Sequence, residues 1–350
     1  MTENVLKQAA EKKVDMDQKY DGRMEEISKQ QNRWIKVKST IYSADAAVKN
    51  AEAGIKEIKG HLIEMRTLLK NMETTTDRTW MREQYDKKLA EVNRIANRYA
   101  AAQNLIGNIS RTDWENMNEV EFKQDLSPST LKMDSVMLSA DWRITGTGVD
   151  SGKIFIPDLV VDTLQEYTSY PDTKGDTKTS VRTGMSVSSY DDSSGAMTFK
   201  MNYQDADGGT EFTGTFERGG LEVMGSWFHD NFETGGVVDL DKIQAAREDL
   251  EWAESQVSLA EGTISSYRNL VDSADKAVDR KLDSFREDSK ELYIAQMTEE
   301  MELQGETEMR YHAVITNLQS IQSQQGRYMS YFAGYLGENS LAGLALDQLA

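Results

Sequence analysis

The amino-acid sequence predicts an α+β fold: a long antiparallel helical coiled-coil bundle with an inserted, mainly antiparallel β domain. Three observations predict it. Apolar residues step by three and four along two stretches, one toward each end of the 350-residue chain. Between them, from about residue 131, the period falls to two. All three prolines, Pro128, Pro157 and Pro171, lie in this middle segment. Proline breaks helix interiors, so the flanks are open to long helices. The chain divides into an N-terminal helical arm (1–125), an inserted, surface-projecting β domain (126–238), a C-terminal helical arm (239–325) and an apolar terminal segment (326–350).

In the first arm, Trp34, Val37, Ile41, Ala44, Val48, Ala51, Ile55, Ile58, Leu62, Met65, Leu69 and Met72 form an unbroken heptad seam. At 1.5 Å per residue it makes a rod of roughly 58 Å. Gly54 and Gly60 lie inside it, each costing about 1 kcal/mol of helix propensity. They either admit a close neighbour or are tolerated. Residues 73–79 read as a break, with Asp77 as a cap for a second helix. Tyr85, Leu89, Val92, Ala96 and Tyr99 form that helix's stripe. It is expected to end near Gly107 and to return antiparallel to the first.

The middle segment shows strand-like runs at 136–138, 153–156, 181–189, 196–203, 211–217 and 221–228, separated by Asp- and Gly-rich turns. Residues 158–167, after Pro157, read as a short helix. The loop Asp205-Ala206-Asp207-Gly208-Gly209 reads as a hairpin turn, because the spacing and closing Glu of a calcium-binding EF-hand loop are missing. Trp142 and Trp227-Phe228 read as β-domain core or edge residues.

The seam resumes at Ile243, Ala246, Leu250, Ala253, Val257, Ala260, Ile264, Tyr267, Val271, Ala274 and Val278, and continues approximately through Leu282 and Phe285. Residues 292–325 continue as helix with a less regular period. The chain end carries Tyr331, Phe332, Tyr335, Leu336, Leu341, Leu344, Leu346 and Leu349, and from Tyr328 onward only Glu338 and Asp347 are charged. Such an end is buried either against this chain or against the next copy.

Charge and composition exclude several classes. The formal net charge is -19, which opposes nonspecific nucleic-acid and anionic-membrane binding. It is uneven: residues 1–120 carry 19 acids and 21 bases, whereas residues 241–350 carry 20 and 10. A slightly basic arm beside an acidic one suits pairing of the two. No cysteine means no disulfide, thiol nucleophile, zinc-thiolate site or iron–sulfur cluster. His61, His229 and His312 are too scattered to suggest a metal or catalytic site. No enzyme activity and no cofactor are expected. No early run reads as a signal peptide, and no stretch reaches the roughly 18 apolar residues of a spanning helix, so membrane insertion is not expected.

Ala53-Gly54-Ile55-Lys56-Glu57-Ile58, followed by Leu62, Met65-Arg66 and Leu68, resembles the first long core helix of bacterial flagellin. Glu91-Val92-Asn93-Arg94-Ile95-Ala96-Asn97 resembles the same family's return helix. Asn104-Leu105-Ile106 resembles the stretch that follows. Thr263-Ile264-Ser265-Ser266-Tyr267-Arg268 resembles the run before its final long helix. At both chain ends the family's usual patterns are absent. The resemblance implies a flagellin-like helical core and a structural subunit that self-assembles into an extracellular flagellar or flagellin-like filament at the cell surface. It implies export without a cleaved signal, through a flagellar type III export apparatus and with an export chaperone. Assembly and core residues would be Val48, Ala51, Ile55, Ile58, Leu62, Met65, Arg66, Leu69, Val92, Ile95, Ile264, Tyr267, Arg268, Val271 and Val278. Phe332, Tyr335, Leu336, Leu344 and Leu346 would contact further copies at the chain end. The alternatives are a hook–filament junction protein, a secreted binding or adhesin-like coiled-coil module, and a cytoplasmic scaffold. A polar side chain at Ile58 or Ile264 should lower the melting temperature strongly, and the same change at Lys59 should not, as thermal denaturation would show.

Overall fold

The protein is α+β, with long helices and an antiparallel β half-barrel. The computed structural model describes residues 2–75, 77–107, 117–158, 162–201 and 209–347, with side chains described as far as residue 331. Helix α1 spans Thr2–Met72 and α2 spans Arg78–Ala96. A small hairpin of β1 (Glu119–Phe122) and β2 (Leu131–Asp134) follows. The main sheet is built from β3 (Ala140–Gly146), β4 (Ile154–Asp158), β5 (Thr163–Ser169), β6 (Thr173–Ser180), β7 (Met185–Asp191), β8 (Ala196–Met201) and β9 (Thr210–Gly220). One helical turn, α3 (Val181–Gly184), joins β6 to β7. Two-residue strands β10 (Glu233–Thr234) and β11 (Val237–Val238) precede α4 (Leu240–Asp347).

The chain forms two compact units, to both of which α1 and α4 contribute: Ile35–Asp279, and Met1–Trp34 with Arg280–Ala350. In the larger unit the seam residues from Val37 to Met72 and from Ile243 to Ala260 are all 3% exposed or less. Asp77 caps α2 by accepting from the Trp80 amide. In the smaller unit the buried cluster is Met16, Tyr20 and Leu292, with Met24 and Ile27 against it.

The seven-stranded sheet is antiparallel throughout, in the order β6-β5-β4-β3-β9-β8-β7. Its period-two strands turn Trp142, Ile144, Phe155, Leu164, Met197, Phe199, Met201, Phe212 and Phe216 to one face. Trp142 packs on Trp227 at 5.0 Å between ring centroids, so both tryptophans belong to the core. The β7–β8 turn is held by Asp191, which accepts from Ser193 and Ser194, and Gly195 takes φ +69.

Several sequence expectations are corrected. Helix α2 stops at Ala96 rather than near Gly107. There the chain doubles back: Asn104 Nδ2 donates to the Ala96 carbonyl at 2.9 Å, and a Cβ on Gly107 would lie 2.1 Å from that oxygen. Residues 136–138 form no strand of a sheet, since Val136 and Leu138 donate their amides to Leu105 and Ile106. Residues 158–167 are not helical where described. They lie largely in β5, whose alternating burial and pairing with β4 outweigh the helix signal after Pro157. Residues 181–184 are a helical turn capped by Ser180, and the strand begins at Met185. Residues 221–228 are turns rather than a strand, with Glu222 at φ 56 and Met224 and Trp227 folded onto the core. Residues 202–203 and 205–208 lie outside the described residues. The boundary at 125/126 falls between β1 and β2, and α4 runs unbroken across 325/326.

The two seam glycines differ. A Cβ on Gly54 would lie 2.3 Å from Ile106 Cδ1, whereas one on Gly60 meets nothing within 4 Å. Gly60→Ala should stabilise by about 0.5–1 kcal/mol. Gly54→Ala should gain less, because the buried Ile106 terminal methyl must move aside, which offsets the same propensity gain. Urea denaturation of the two variants checks the order.

Candidate functional site

The candidate site residues gather at two places in the larger unit: the α1–α4 seam, and the junction of α2 and α4 with the sheet. Along the seam, apolar burial supplies the driving force and charges flank it. Val48, Ala51, Ile55, Ile58, Leu62, Met65 and Leu69 on α1 are buried, as are Ile264, Val271 and Val278 on α4. Val92 and Ile95 are buried on α2. Arg66 Nη2 reaches Glu254 at 2.6 Å, and Lys59 reaches Glu261 at 3.0 Å. Arg268 binds Glu52 through two nitrogens, at 3.1 and 2.6 Å, and Asp45 at 2.6 Å. Arg247 pairs with Glu73. The partners ascend α1 as they descend α4, which makes the helices antiparallel. Tyr267 is half-buried, and its hydroxyl ties α4 to both backbone groups of Asp134 in β2. The side chains of Phe332, Tyr335, Leu336, Leu344 and Leu346 lie outside the described residues.

Helix α2 meets the start of β3 and the turns that follow β9 through buried polar contacts that the apolar pattern does not reveal. Tyr85 Oη donates to the Met224 carbonyl at 3.1 Å. The Asp86 carboxylate accepts from the Ser226 amide at 2.8 Å and its hydroxyl at 2.6 Å. Asn93 Oδ1 accepts from the Ala140 amide at 2.7 Å. The available signal was Asp86 and Asn93 seven residues apart, beside an apolar stripe at helical spacing. From α4, Asp249 faces His229 at 3.4 Å and Arg218 at 3.5 Å, and the Arg218 guanidinium lies 4.7 Å from the Phe228 ring centre. A cleft of about 350 Å³ opens beside α2, with Trp227 and Val181 in its wall and Asp86, Asp162 and Arg182 at its polar edge.

Burial pushes the Tyr85 phenol well above its ordinary range. Burial also raises the Asp86 carboxyl, although the Ser226 bonds oppose the shift. Glu57 and Glu64 on α1 shift downward, chiefly through their bonds to Arg98, just beyond α2, and to Lys88 of α2. Among the described residues no cluster of three or more His, Cys, Asp or Glu side chains could hold a metal ion. No described helix is long and apolar enough to cross a membrane.

The raised and lowered carboxyls act oppositely on stability. A raised folded-state pKa costs stability once the pH exceeds the unfolded value, so ionised Asp86 is a liability near neutrality. Lowered values at Glu57 and Glu64 stabilise above the unfolded pKa, and that stability is lost as pH falls through their depressed folded values. Asn at position 86 can still accept from the Ser226 amide and donate to its hydroxyl. Asp86→Asn should therefore raise the melting temperature at pH 7 and lose that gain below the usual carboxylate range, as melts at the two pH values would show.

Proposed function

No family model matches the chain, and no curated protein matches it.

We propose that the protein is a self-assembling structural subunit of a flagellin-like extracellular filament, a non-enzymatic protein whose principal partners are copies of itself. The observation that carries this reading is the apolar surface left on the last part of α4. Tyr293, Ile294, Met301, Met309, Ile321, Tyr328, Met329 and Tyr331 are 47–83% exposed. A soluble helix ordinarily buries its apolar side chains or replaces them with charge. Here charge instead disappears: between Tyr311 and Asp347 the charged residues are Arg327, Glu338 and Asp347. Such a surface suits repeated contact between identical chains, and contact of unlike patches builds a helical lattice.

The flagellin-like pairing of helical arms around an inserted β domain fits the same role. The helices supply contact surfaces, and the acidic β domain sets the charge of the filament exterior. Export in an unfolded state suits a chain that folds without disulfides.

Purified chain should form filaments visible by negative-stain microscopy as its concentration is raised. Ile321→Glu with Tyr328→Glu should abolish them without altering the melt of the larger unit. A chain that stays monomeric under all assembly conditions sinks the proposal.

A further inference from the structure

The outward side of α4 in the smaller unit carries sulfur chemistry that the seam and the sheet junction leave unused. The chain has 17 methionines and no cysteine, so the methionine thioether is the sulfur it offers to an oxidant. The fold sorts these methionines. Met65, Met133 and Met201 are fully buried, whereas Met297, Met301, Met309 and Met329 on α4 are 42–74% exposed. Contacts within the unit fix which side of α4 faces α1. Tyr20 and Lys19 reach Glu299, and Lys12 reaches Glu306. Leu292 packs on that side against Met16 and Tyr20. Residues three or four apart share a helix face. Ile294, Met297 and Met301 follow one another at those steps on the opposite side. This stripe is part of the apolar α4 surface that would meet further copies. Methionine suits such a surface, because its flexible thioether adapts to what it meets.

We propose that the exposed α4 methionines are oxidation sites through which a hydroperoxide controls assembly. The thioether sulfur attacks one peroxide oxygen. An S–O bond forms as the O–O bond breaks, and the sulfur gives up two electrons. A proton passes to the departing oxygen, so hydrogen peroxide is reduced to water. The product, methionine sulfoxide, is polar, and burying it in an apolar contact without a hydrogen-bond partner is costly. Oxidation therefore acts on the free chain, whose α4 sulfurs are open to solvent, and keeps it from joining a filament. Chains already assembled shield the same sulfurs. The buried methionines of the larger unit remain thioethers, so its fold survives the modification. The inference rests on the self-assembly reading and adds its regulation.

The test treats full-length chain with hydrogen peroxide and reads each methionine by peptide mass spectrometry. It then measures the concentration at which the chain assembles, by sedimentation and negative stain. Met297, Met301, Met309 and Met329 should oxidise about tenfold faster than Met65 and Met133 in the free chain, and about tenfold more slowly once filaments form. Oxidised chain should need about tenfold more protein to assemble. Met297→Leu, Met301→Leu, Met309→Leu and Met329→Leu together keep the apolar volume. That variant should assemble near the wild-type concentration and lose its response to peroxide. Met117→Leu, at an exposed methionine outside α4, should leave the response intact. Circular dichroism establishes that oxidised chain keeps its helices. Assembly of oxidised chain at the untreated concentration overturns the inference while the filament reading stands. So does equal oxidation of Met65 and Met301, or an unchanged peroxide response in the four-leucine variant. Failure of the untreated chain to assemble overturns both.

Discussion

The register between α1 and α4 in the larger unit is the constraint on which the rest depends. Apolar burial alone leaves that register ambiguous, because a slip of seven residues keeps heptad positions on the seam. The flanking charges remove the ambiguity. Glu52, Lys59, Arg66 and Glu73 recur every seven residues on α1, and they meet Arg268, Glu261, Glu254 and Arg247 at the same interval on α4. The signs run acid, base, base, acid against base, acid, acid, base. A slip of one heptad in either direction puts one pair of acids and one pair of bases face to face. Partly exposed pairs of this kind contribute little stability, but juxtaposed like charges disfavour the wrong alignment. The sign pattern reads the same in both directions, so antiparallel orientation must come from how the intervening chain is folded.

That intervening chain is long. Arg66 and Glu254 are 188 residues apart in sequence, and Arg268 and Glu52 are 216 apart. Closing such a loop costs entropy before the seam returns any burial. The junction of α2 with the sheet reduces the separation in space. Asn93 fastens α2 to β3, Tyr85 and Asp86 fasten it to the turns after β9, and Asp249 faces Arg218 and His229 at the base of α4. Ordering the β domain therefore brings the two arms together. The polar character of the junction has a cost, visible in the raised Asp86 carboxyl. In return, each bond has one geometric solution, which apolar packing alone would not enforce.

The helical part of the fold was legible because its signal is redundant: a seam sustained over many heptads survives a few misfit residues. The sheet was legible where strands alternate cleanly, as in β8 and β9, and in the short apolar run of β4. It was misread where tertiary contact overrides local pattern. Residues 221–228 look strand-like, yet Met224 and Trp227 are drawn onto the sheet core while Ser226 is held by Asp86. Residues 136–138 likewise satisfy their amides against the segment after α2. The end of α2 was misplaced because its stop depends on Asn104, eight residues beyond Ala96, folding back onto the last turn. The polar junction was not legible, since Asp86 and Asn93, seven residues apart beside the apolar stripe, mark polar positions without naming their partners.

The smaller unit follows the same helical logic with less apolar material. Along α4 beyond Arg280 the inward positions include Ser289, Gln296 and Glu299 as well as Leu292. Its cross-helix contacts are largely exposed ion pairs, such as Lys12 with Glu306 and Lys19 with Glu299. Burial is therefore shallow, while Tyr293, Ile294 and Met301 remain outside. Local opening free energy scales with buried contact, so this unit should protect its amides less than the seam from Val37 to Met72. A segment with little to lose from rearrangement and much apolar surface to bury can be ordered by binding to another surface. The same chain thus joins a well-buried, charge-aligned helical scaffold to a weakly cored one.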